Sequence, residues 1–390
     1  MSDQPLNSAT RLLRAGRPRH GWVNTPVTRA STYAFDSVAA WRETRANRET
    51  RRMASYGARG TDSTFALEDA LLELEGGHRA QLFPTGHAAI ATLLLGVLSP
   101  GDHVLVTDAV YEPVRRFCAQ HLARFGIAVE FFLPDGSDLA GRLRPETKLI
   151  YAECPGSLAF EMMDLPEAAR LARRHGCLLA VDNTWGSGLL YRPLALGADI
   201  SVLAATKYLG GHADVMMGAV VSNERAWEAV QRASVGFGQT VGADDAYLVL
   251  RGMRSLIPRM EMHARHAMKV AAWLQVQPAV AGVLCPALPE DPGHALWRRD
   301  CHGANGLLAV EFVQNVSAEA MEAAIDRLQL FGIGASWGGF ESLALPVDMA
   351  KARTVADWSG RGAMMRLHVG LEDPDDLVAD LRQAFAALAP

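Results

Sequence analysis

Long apolar runs and paired cysteines are both missing from this sequence. The longest apolar stretch, Ala88 to Leu98, is too short to span a bilayer, so no membrane partner is expected. The five cysteines are scattered without a CxxC pair, which argues against a disulfide framework and against a metal site. The N-terminus lacks the apolar core of a secretory signal, and a cytoplasmic location is therefore expected.

Runs of one charge are also absent. The 38 basic and 43 acidic residues are mixed along the chain and leave a formal charge of −5. This pattern gives no indication of a nucleic-acid partner. With 390 residues, 49% of them apolar, the chain is longer than one compact core usually grows, which predicts two structural regions.

What the sequence contains, from Phe65 onward, is an alternation of helical and strand patterns. The short apolar runs Lys148 to Tyr151 and Leu178 to Val181 are separated by an amphipathic helix from Pro166 to His175. Continuous apolar strands that alternate with helices predict an α/β fold whose mostly parallel sheet is covered on both faces.

This pattern divides the chain into three predicted parts. Residues 1–60 have few periodic apolar positions and are predicted to form an arm that contributes to a neighbouring subunit. The large α/β domain is expected over residues 61–255, with a helix over Tyr111 to Phe125. A long helical stretch from Asp244 to Gln277 then leads into a smaller α+β domain over residues 256–390.

Two reactive side chains follow strands of the predicted sheet. The run Leu178 to Val181 ends in Asp182, and the next strand, Asp199 to Ala204, leads to Lys207. An isolated lysine is usually a solvated surface residue, but ligands of open α/β sheets bind where the parallel strands end. Pyridoxal 5′-phosphate needs a lysine for its Schiff base and an acid for its ring nitrogen, and this pair fits both roles.

Three further features suit the same cofactor. The segment Phe83 to Ile90 predicts a strand, a glycine turn and a helix start, whose N–H groups bind phosphate. Tyr111 could stack on the ring, and Arg366 could bind a substrate carboxylate. Each feature has an ordinary alternative: a plain β–α connection, a core aromatic residue and a strand-edge salt bridge.

Seven segments, in this order, resemble the Cys/Met-metabolism pyridoxal-phosphate enzymes from about residue 20 to the C-terminus. They are YGARGTDS, LEGGHRAQLFPTGHAAI, GDHVLVTDAVYEP, VDNTWGSG, AATKYLGGHAD, SWGGFESL and RLHVGLEDPDDL. Within that family, SWGGFESL and RLHVGLED are most similar to the bacterial cystathionine β-lyases. The resemblance implies the fold type I architecture of aspartate aminotransferase and a homotetramer, a dimer of dimers whose subunits complete each other's sites.

The resemblance also implies a role for each matching residue. Lys207 is the Schiff-base lysine and proton shuttle, Asp182 the partner of the ring nitrogen, and Tyr111 the stacking residue. Phosphate contacts are expected from Gly86, His87 and Thr206, and from Tyr56 of the adjacent subunit with Arg59 beside it. The substrate carboxylate is expected between Arg366, Ser336 and Trp337.

Three departures from the family pattern lie on the side that holds the distal half of the substrate. Ala58 replaces an arginine, although Arg59 follows; Val235 replaces a frequent tyrosine; Arg115 and Arg116 stand near an acidic position. A positive pair near the substrate, with Arg116 as a contact, would favour an anionic or neutral distal group over a cationic one.

The implied reaction is cleavage of a carbon–sulfur bond in an amino-acid thioether. β-Elimination of cystathionine would give homocysteine, pyruvate and ammonia. The alternatives are a γ-lyase or γ-replacement enzyme acting on methionine, homoserine derivatives or a guanidinooxy amino acid, and a non-catalytic protein of the same fold. A Rossmann dehydrogenase is disfavoured because no GxGxxG follows the first strand.

Overall fold

Two β-sheets organise the chain, and helices cover their faces. The computed structural model describes residues 6–18 and 20–388. The first sheet has seven strands in the order β1-β7-β6-β5-β4-β2-β3. These strands are β1 Arg79–Phe83, β2 His103–Thr107, β3 Ala128–Phe132, β4 Thr147–Glu153, β5 Leu178–Asp182, β6 Ile200–Ala204 and β7 Gly218–Ser222.

The first sheet is mostly parallel, as the apolar runs predict. Strands β2 to β6 pair in parallel, whereas β7 runs antiparallel between β6 and β1. Every residue of β2 and β7 is buried, because helices pack on both faces of the sheet. The expected α/β fold class is confirmed.

A second, five-stranded sheet follows in the order β10-β11-β12-β9-β8. Its strands are β8 Val280–Leu284, β9 Leu307–Phe312, β10 Gly332–Ile333, β11 Leu343–Val347 and β12 Met364–His368. Strand β12 pairs antiparallel with both β9 and β11, so it lies in the middle of the sheet and its five residues are buried. This part has the α+β organisation that the sequence predicts.

The α-helices of the described residues are α1 Ser8–Arg14, α2 Val38–Asn47, α3 Asp62–Glu75, α4 Gly86–Val97, α5 Glu112–Phe117, α6 Leu139–Arg142, α7 Leu165–His175, α8 Glu224–Gly236, α9 Ala243–Met253, α10 Leu256–Leu274, α11 His294–Asp300, α12 Ala318–Ile325, α13 Met349–Ala352 and α14 Pro374–Phe385. Among them, none is both long enough and apolar enough to cross a membrane.

The predicted arm begins with a helix that docks on its own chain. Leu12 of α1 is buried against α3. Arg254 donates hydrogen bonds to the carbonyls of Leu12, Leu13 and Ala15 at 2.7–2.9 Å. Further along the arm, Trp22 is 78% exposed. The first turns of the arm are therefore anchored locally, while its middle part presents apolar side chains to solvent.

Two helix predictions need correction. The helix expected over Tyr111 to Phe125 ends at Phe117, and a π-helical turn and a 3₁₀ turn complete that segment. The stretch expected from Asp244 to Gln277 is two helices, because α9 ends before Arg254 and Ser255 and α10 begins after them. This break coincides with the proposed boundary at residues 255 and 256, which itself stays a prediction.

Candidate cofactor and substrate site

Three predicted elements meet at the C-terminal edge of the parallel strands. Asp182 is the last residue of β5, and Lys207 follows the adjacent strand β6. Helix α4 begins beside them, since a Cβ atom on Gly86 would lie 2.8 Å from the Cβ atom of Ala204. Only glycine permits this approach without displacing the strand.

Asp182 is buried and held by Thr184. One carboxyl oxygen accepts hydrogen bonds from the Thr184 N–H at 3.0 Å and the Thr184 hydroxyl at 2.6 Å. The Thr184 hydroxyl in turn accepts from the N–H of Ala204 at 2.9 Å, which ties β5 to β6. Burial raises the pKa of Asp182, while Thr184 and Lys207 oppose that effect. The second carboxyl oxygen is left for a cationic partner.

Lys207 lies across from Ser336 and Trp337. Its Nζ donates a hydrogen bond to the Ser336 hydroxyl at 2.7 Å and lies 5.3 Å from the centre of the Trp337 ring. Burial lowers the pKa of Lys207 to about 8, and the positive charge of Arg366 acts in the same direction. At pH 7 roughly a tenth of such an amine is neutral, and this form can act as a nucleophile or base.

Arg366 is a buried cation that forms no ion pair with a carboxylate of the described residues. Its Nη2 donates to the carbonyls of Gly334, Ala335 and Ser336 at 3.3, 3.2 and 3.0 Å, and its Nε has no partner. Burial lowers the pKa of Arg366 to about 10. The strand-edge salt bridge considered as an alternative does not occur among the described residues, and the guanidinium is available to an incoming carboxylate.

The N-terminus of α4 presents unused N–H groups. The hydroxyl of Thr85 caps the helix by accepting the Ala88 N–H at 2.9 Å. Among the described residues, the N–H groups of Gly86 and His87 have no acceptor, as is usual for the first turn of a helix. Such a terminus suits a phosphate group.

Thr206, the other predicted phosphate contact, is already engaged. Its hydroxyl donates to the Met217 carbonyl at 3.2 Å and accepts from the Met217 N–H at 3.0 Å. A phosphate contact from Thr206 would therefore require its hydroxyl to turn away from Met217.

These residues fit pyridoxal phosphate. The amine of Lys207 suits its aldehyde, the open oxygen of Asp182 suits its ring nitrogen, and the α4 terminus suits its phosphate. The unpaired guanidinium of Arg366 suits the carboxylate of an amino-acid substrate. Pyridoxal phosphate and an amino-acid substrate together would supply the missing partners of these groups.

Tyr111 stands at the start of α5, where Glu153 holds its backbone. The Tyr111 N–H donates to the Glu153 carboxylate at 2.7 Å, and Glu153 is the register partner of Asp182 on β4. Burial raises the pKa of Glu153 well above its ordinary value, and the charge of Asp182 adds to the effect. No role for Glu153 was predicted from the sequence, although it ends an apolar strand at the same edge as Asp182.

The remaining predicted cofactor contacts lie elsewhere in the single chain. Arg59 is ion-paired with Glu49 at 3.0 Å. Ala58, Arg59 and Val235 line one cavity between the arm, β1 and α8. No hydrogen bond or ion pair among the described residues connects Tyr56 or Arg59 to Lys207 or Asp182. Their expected role in a neighbouring subunit stays a prediction.

Arg115 and Arg116 do not form the unpaired positive patch that the sequence suggests. Arg115 donates to the Asp108 carboxylate at 2.8 Å and stacks over Phe131 at 4.2 Å. Arg116 pairs with Glu112 one helical turn away at 2.8 Å. Because each guanidinium is paired with its own carboxylate, these two arginines give no reason to expect an anionic distal group on the substrate.

Asp108 ties this region to the second sheet. Its fully buried carboxylate accepts the N–H groups of Thr354, Val355 and Ala356 at 2.9–3.0 Å, besides the bond from Arg115. One side chain therefore connects the end of β2, helix α5 and the loop after α13.

Asp108→Asn should therefore destabilise the protein. The NH₂ group of the asparagine would face backbone N–H groups, and Arg115 would lose its carboxylate partner. We expect the free energy of unfolding to fall by about 3 kcal/mol. These hydrogen bonds keep the pKa of Asp108 low, so the contribution should be present above the unfolded-state pKa and disappear as the pH falls through the folded-state value. Urea unfolding tests this, with exposed Asp357→Asn as the control. Equal stability of the two variants would contradict it.

Comparison with known proteins agrees with the geometry. The family model described as Cys/Met metabolism PLP-dependent enzyme matches residues 9–386. The chain belongs to this family. The resemblance drawn from its motifs, the fold type I architecture and the dependence on pyridoxal phosphate are thereby confirmed.

Individual members of the Cys/Met family are similar over nearly the whole chain. A cystathionine β-lyase of Bordetella avium is 49% identical over 366 residues, covering 93% of this chain and 92% of that protein. Cystathionine β-lyase MetC of Escherichia coli K12 is 41% identical over 397 residues, with both chains fully covered. The crystal structure of cystathionine γ-lyase from Lactobacillus plantarum, complexed with L-serine, has a TM-score of 0.88 at 28% identity, covering 98% and 99% of the two chains.

Proposed function

We propose that this chain is a carbon–sulfur lyase of the cystathionine β-lyase type. It would eliminate the β-thiol of an amino-acid thioether, and cystathionine and one water molecule would yield homocysteine, pyruvate and ammonia. The main structural support is the position of Lys207, whose amine lies between an acid at the sheet edge and the Ser336–Trp337 segment. The similarity to two proteins named cystathionine β-lyase supports the same reaction.

Arg366 is proposed to bind the substrate carboxylate. Its three contacts are to neutral carbonyls, and a carboxylate offers stronger, charge-assisted hydrogen bonds to Nη2 and to Nε, which has no partner among the described residues. Ser336 and Trp337 flank that position because they lie on the loop that Arg366 contacts. This arrangement would orient the Cα–H bond of the substrate toward Lys207.

Proton transfer is assigned to Lys207. Bound pyridoxal phosphate supplies an electron sink for the electron pair left at Cα when its proton is removed. The neutral Nζ of Lys207 takes the Cα proton and returns a proton to the sulfur of the leaving thiolate. When that cofactor is bound, the open oxygen of Asp182 would accept a hydrogen bond from the ring nitrogen, Tyr111 would stack on the ring, and the N–H groups of Gly86 and His87 would hold the phosphate.

We also propose a homotetramer in which Tyr56 and Arg59 serve the site of a neighbouring subunit. Support comes from the arm, where Trp22, Val23 and Val38 are exposed apolar side chains that a partner would cover. The arm, large-domain and small-domain boundaries given above belong to this proposal, as does a cytoplasmic location. Light scattering of the purified protein should give a mass of four chains, whereas a stable monomer would contradict the shared site.

The 2-oxo acid released from different substrates tests the proposed reaction. The purified protein should be incubated with cystathionine, cystine, methionine and O-substituted homoserines. β-Elimination predicts pyruvate from cystathionine and cystine, and little product from methionine. Release of 2-oxobutyrate would instead assign the chain to γ-elimination, and a protein inert to all four substrates would support a non-catalytic role.

A further inference from the structure

The segment that faces Lys207 has no regular secondary structure of its own. Residues 334–339 lie between β10 and β11, and this loop carries the hydroxyl and the indole that contact Lys207. Gly338 has a φ of +88°, and a Cβ there would lie 2.8 Å from the Tyr208 nitrogen. The loop is thus packed directly against the backbone of Lys207 and Tyr208, and its conformation decides where Ser336 and Trp337 lie.

Two residues of β12 hold this loop. Arg366 and His368 are two positions apart, so their side chains project from the same face of the strand. Arg366 binds the carbonyls of the first half of the loop, at Gly334, Ala335 and Ser336. His368 binds the second half, because its Nε2 lies 3.1 Å from the Gly338 nitrogen and 3.1 Å from the Gly339 oxygen.

The surroundings of His368 select one tautomer. An unpaired buried N–H is rarer than an underused carbonyl, so Nε2 is assigned as the acceptor of the Gly338 N–H, which places the proton of His368 on Nδ1. A second fully buried histidine, His263, packs 5.2 Å away and uses its own Nδ1–H toward the Val369 carbonyl at 2.9 Å. Its Nε2 is therefore an acceptor.

The two leftover nitrogens are complementary. His263 Nε2 and His368 Nδ1 are both buried without a hydrogen-bond partner in the described part of the chain, and with these tautomers one is an acceptor and the other a donor. Burial lowers the pKa of His263 to about 4 and that of His368 to about 3, so both rings are neutral near neutral pH.

We propose that His368 is a positioning residue which, by accepting the Gly338 N–H, keeps Ser336 and Trp337 against the amine of Lys207. This role deepens the proposed lyase function and rests on it for its consequence in catalysis. When a substrate carboxylate draws Arg366 away from the carbonyls of the loop, the bond from Gly338 to His368 still connects β12 to the loop. His368 thus stabilises the loop in the step in which substrate is bound.

The test compares His368→Met with His368→Gln. The two side chains have similar length, but only the glutamine oxygen can replace Nε2 as a strong acceptor. Hydrogen exchange in the purified protein should be about tenfold faster in the peptide over residues 334–339 of the methionine variant, because one hydrogen bond is lost. The glutamine variant should remain close to the wild type. Strand β9, Leu307–Phe312, serves as the internal reference.

The kinetic readout should follow the exchange readout. In the methionine variant, KM for the thioether substrate should rise about tenfold with a smaller change in kcat, and glutamine should restore it. The proposal would be overturned if the exchange rate of residues 334–339 were unchanged, or if the two substitutions had equal effects. It would also be overturned if exchange became faster in β9 to the same extent. Exchange is measured without substrate, so it remains decisive if the wild-type protein eliminates no thiol and the lyase function itself fails.

Discussion

Lys207→Ala is expected to abolish elimination and to remove the visible absorbance of the lysine-bound cofactor. The other three lysines, Lys148, Lys269 and Lys351, stand at none of the predicted site positions. Loss of the amine removes both the covalent attachment and the proton carrier, and we expect turnover to fall by more than about 10⁴-fold. Absorbance spectra and product analysis on the same sample measure both effects.

The matched control is Lys351→Ala. Lys351 is an exposed residue of α13 that is ion-paired with Asp348 at 2.7 Å, so its removal should leave spectrum and turnover unchanged. An active, coloured Lys207→Ala protein would show that another amine holds the cofactor. Added methylamine should partly restore turnover in the Lys207→Ala protein if proton transfer is the missing step.

Asp182→Asn should reduce kcat by about 10³-fold while leaving the fold intact. The asparagine oxygen can still accept both hydrogen bonds from Thr184, so the local geometry is kept. What disappears is the negative charge that stabilises a protonated ring nitrogen, and with it the electron sink. Steady-state rates and unfolding curves of the variant separate the electrostatic effect from a structural one.

Asp182→Glu is the informative companion. It keeps the charge but adds a methylene in a buried site, so it should retain more activity than asparagine and be less stable. Full activity in Asp182→Asn would remove the assigned role of this carboxylate. Burial, followed by the charge of Asp182, raises the pKa of the adjacent Glu153, so this carboxyl is a poor substitute for the Asp182 charge.

The sequence was most informative where reactive residues end buried strands. Asp182, Lys207 and Arg366 stand in or directly after apolar runs, and such runs fix the strand positions because both faces of the sheet are covered. The order of strands in the first sheet then brings Asp182 and Lys207 to the same edge. Periodicity thus predicts the strand ends, whereas the pairing of β5 with β6 comes from the structure.

Residues that act through distant partners could not be predicted in the same way. Asp108 binds backbone N–H groups about 246 residues away, and His368 binds a loop 30 residues upstream. The sequence does not indicate these partners, because the donors are backbone N–H groups that every residue except proline carries. The pairing of Arg115 with Asp108 was also missed, since it depends on how the turn after β2 folds.

Some secondary structure was missed although a local signal exists. Helix α8 begins after Asn223, whose side chain caps it, yet it received no assignment. Strand β11 contains Pro346, which disfavours a strand in a sequence-based assignment, and β8 contains Gly282 at a bulge. Both strands form because β12 and β9 offer them an edge, a tertiary effect.

The distal half of the substrate depends on residues that the single chain leaves apart from Lys207. Ala58 and Val235 line the same cavity as Arg59, and two of the three departures from the family pattern are therefore neighbours. If that cavity completes the site of another subunit, both changes alter the same end of the substrate. The cofactor side of the site is independent of this question.

The most direct test of the proposed site is to identify the lysine that carries the cofactor. The purified protein, supplied with pyridoxal phosphate, should be reduced with borohydride, digested and analysed by mass spectrometry. We expect one modified peptide, with the reduced cofactor on Lys207. Modification of Lys148, Lys269 or Lys351 instead, or a protein that takes up no cofactor, would contradict it.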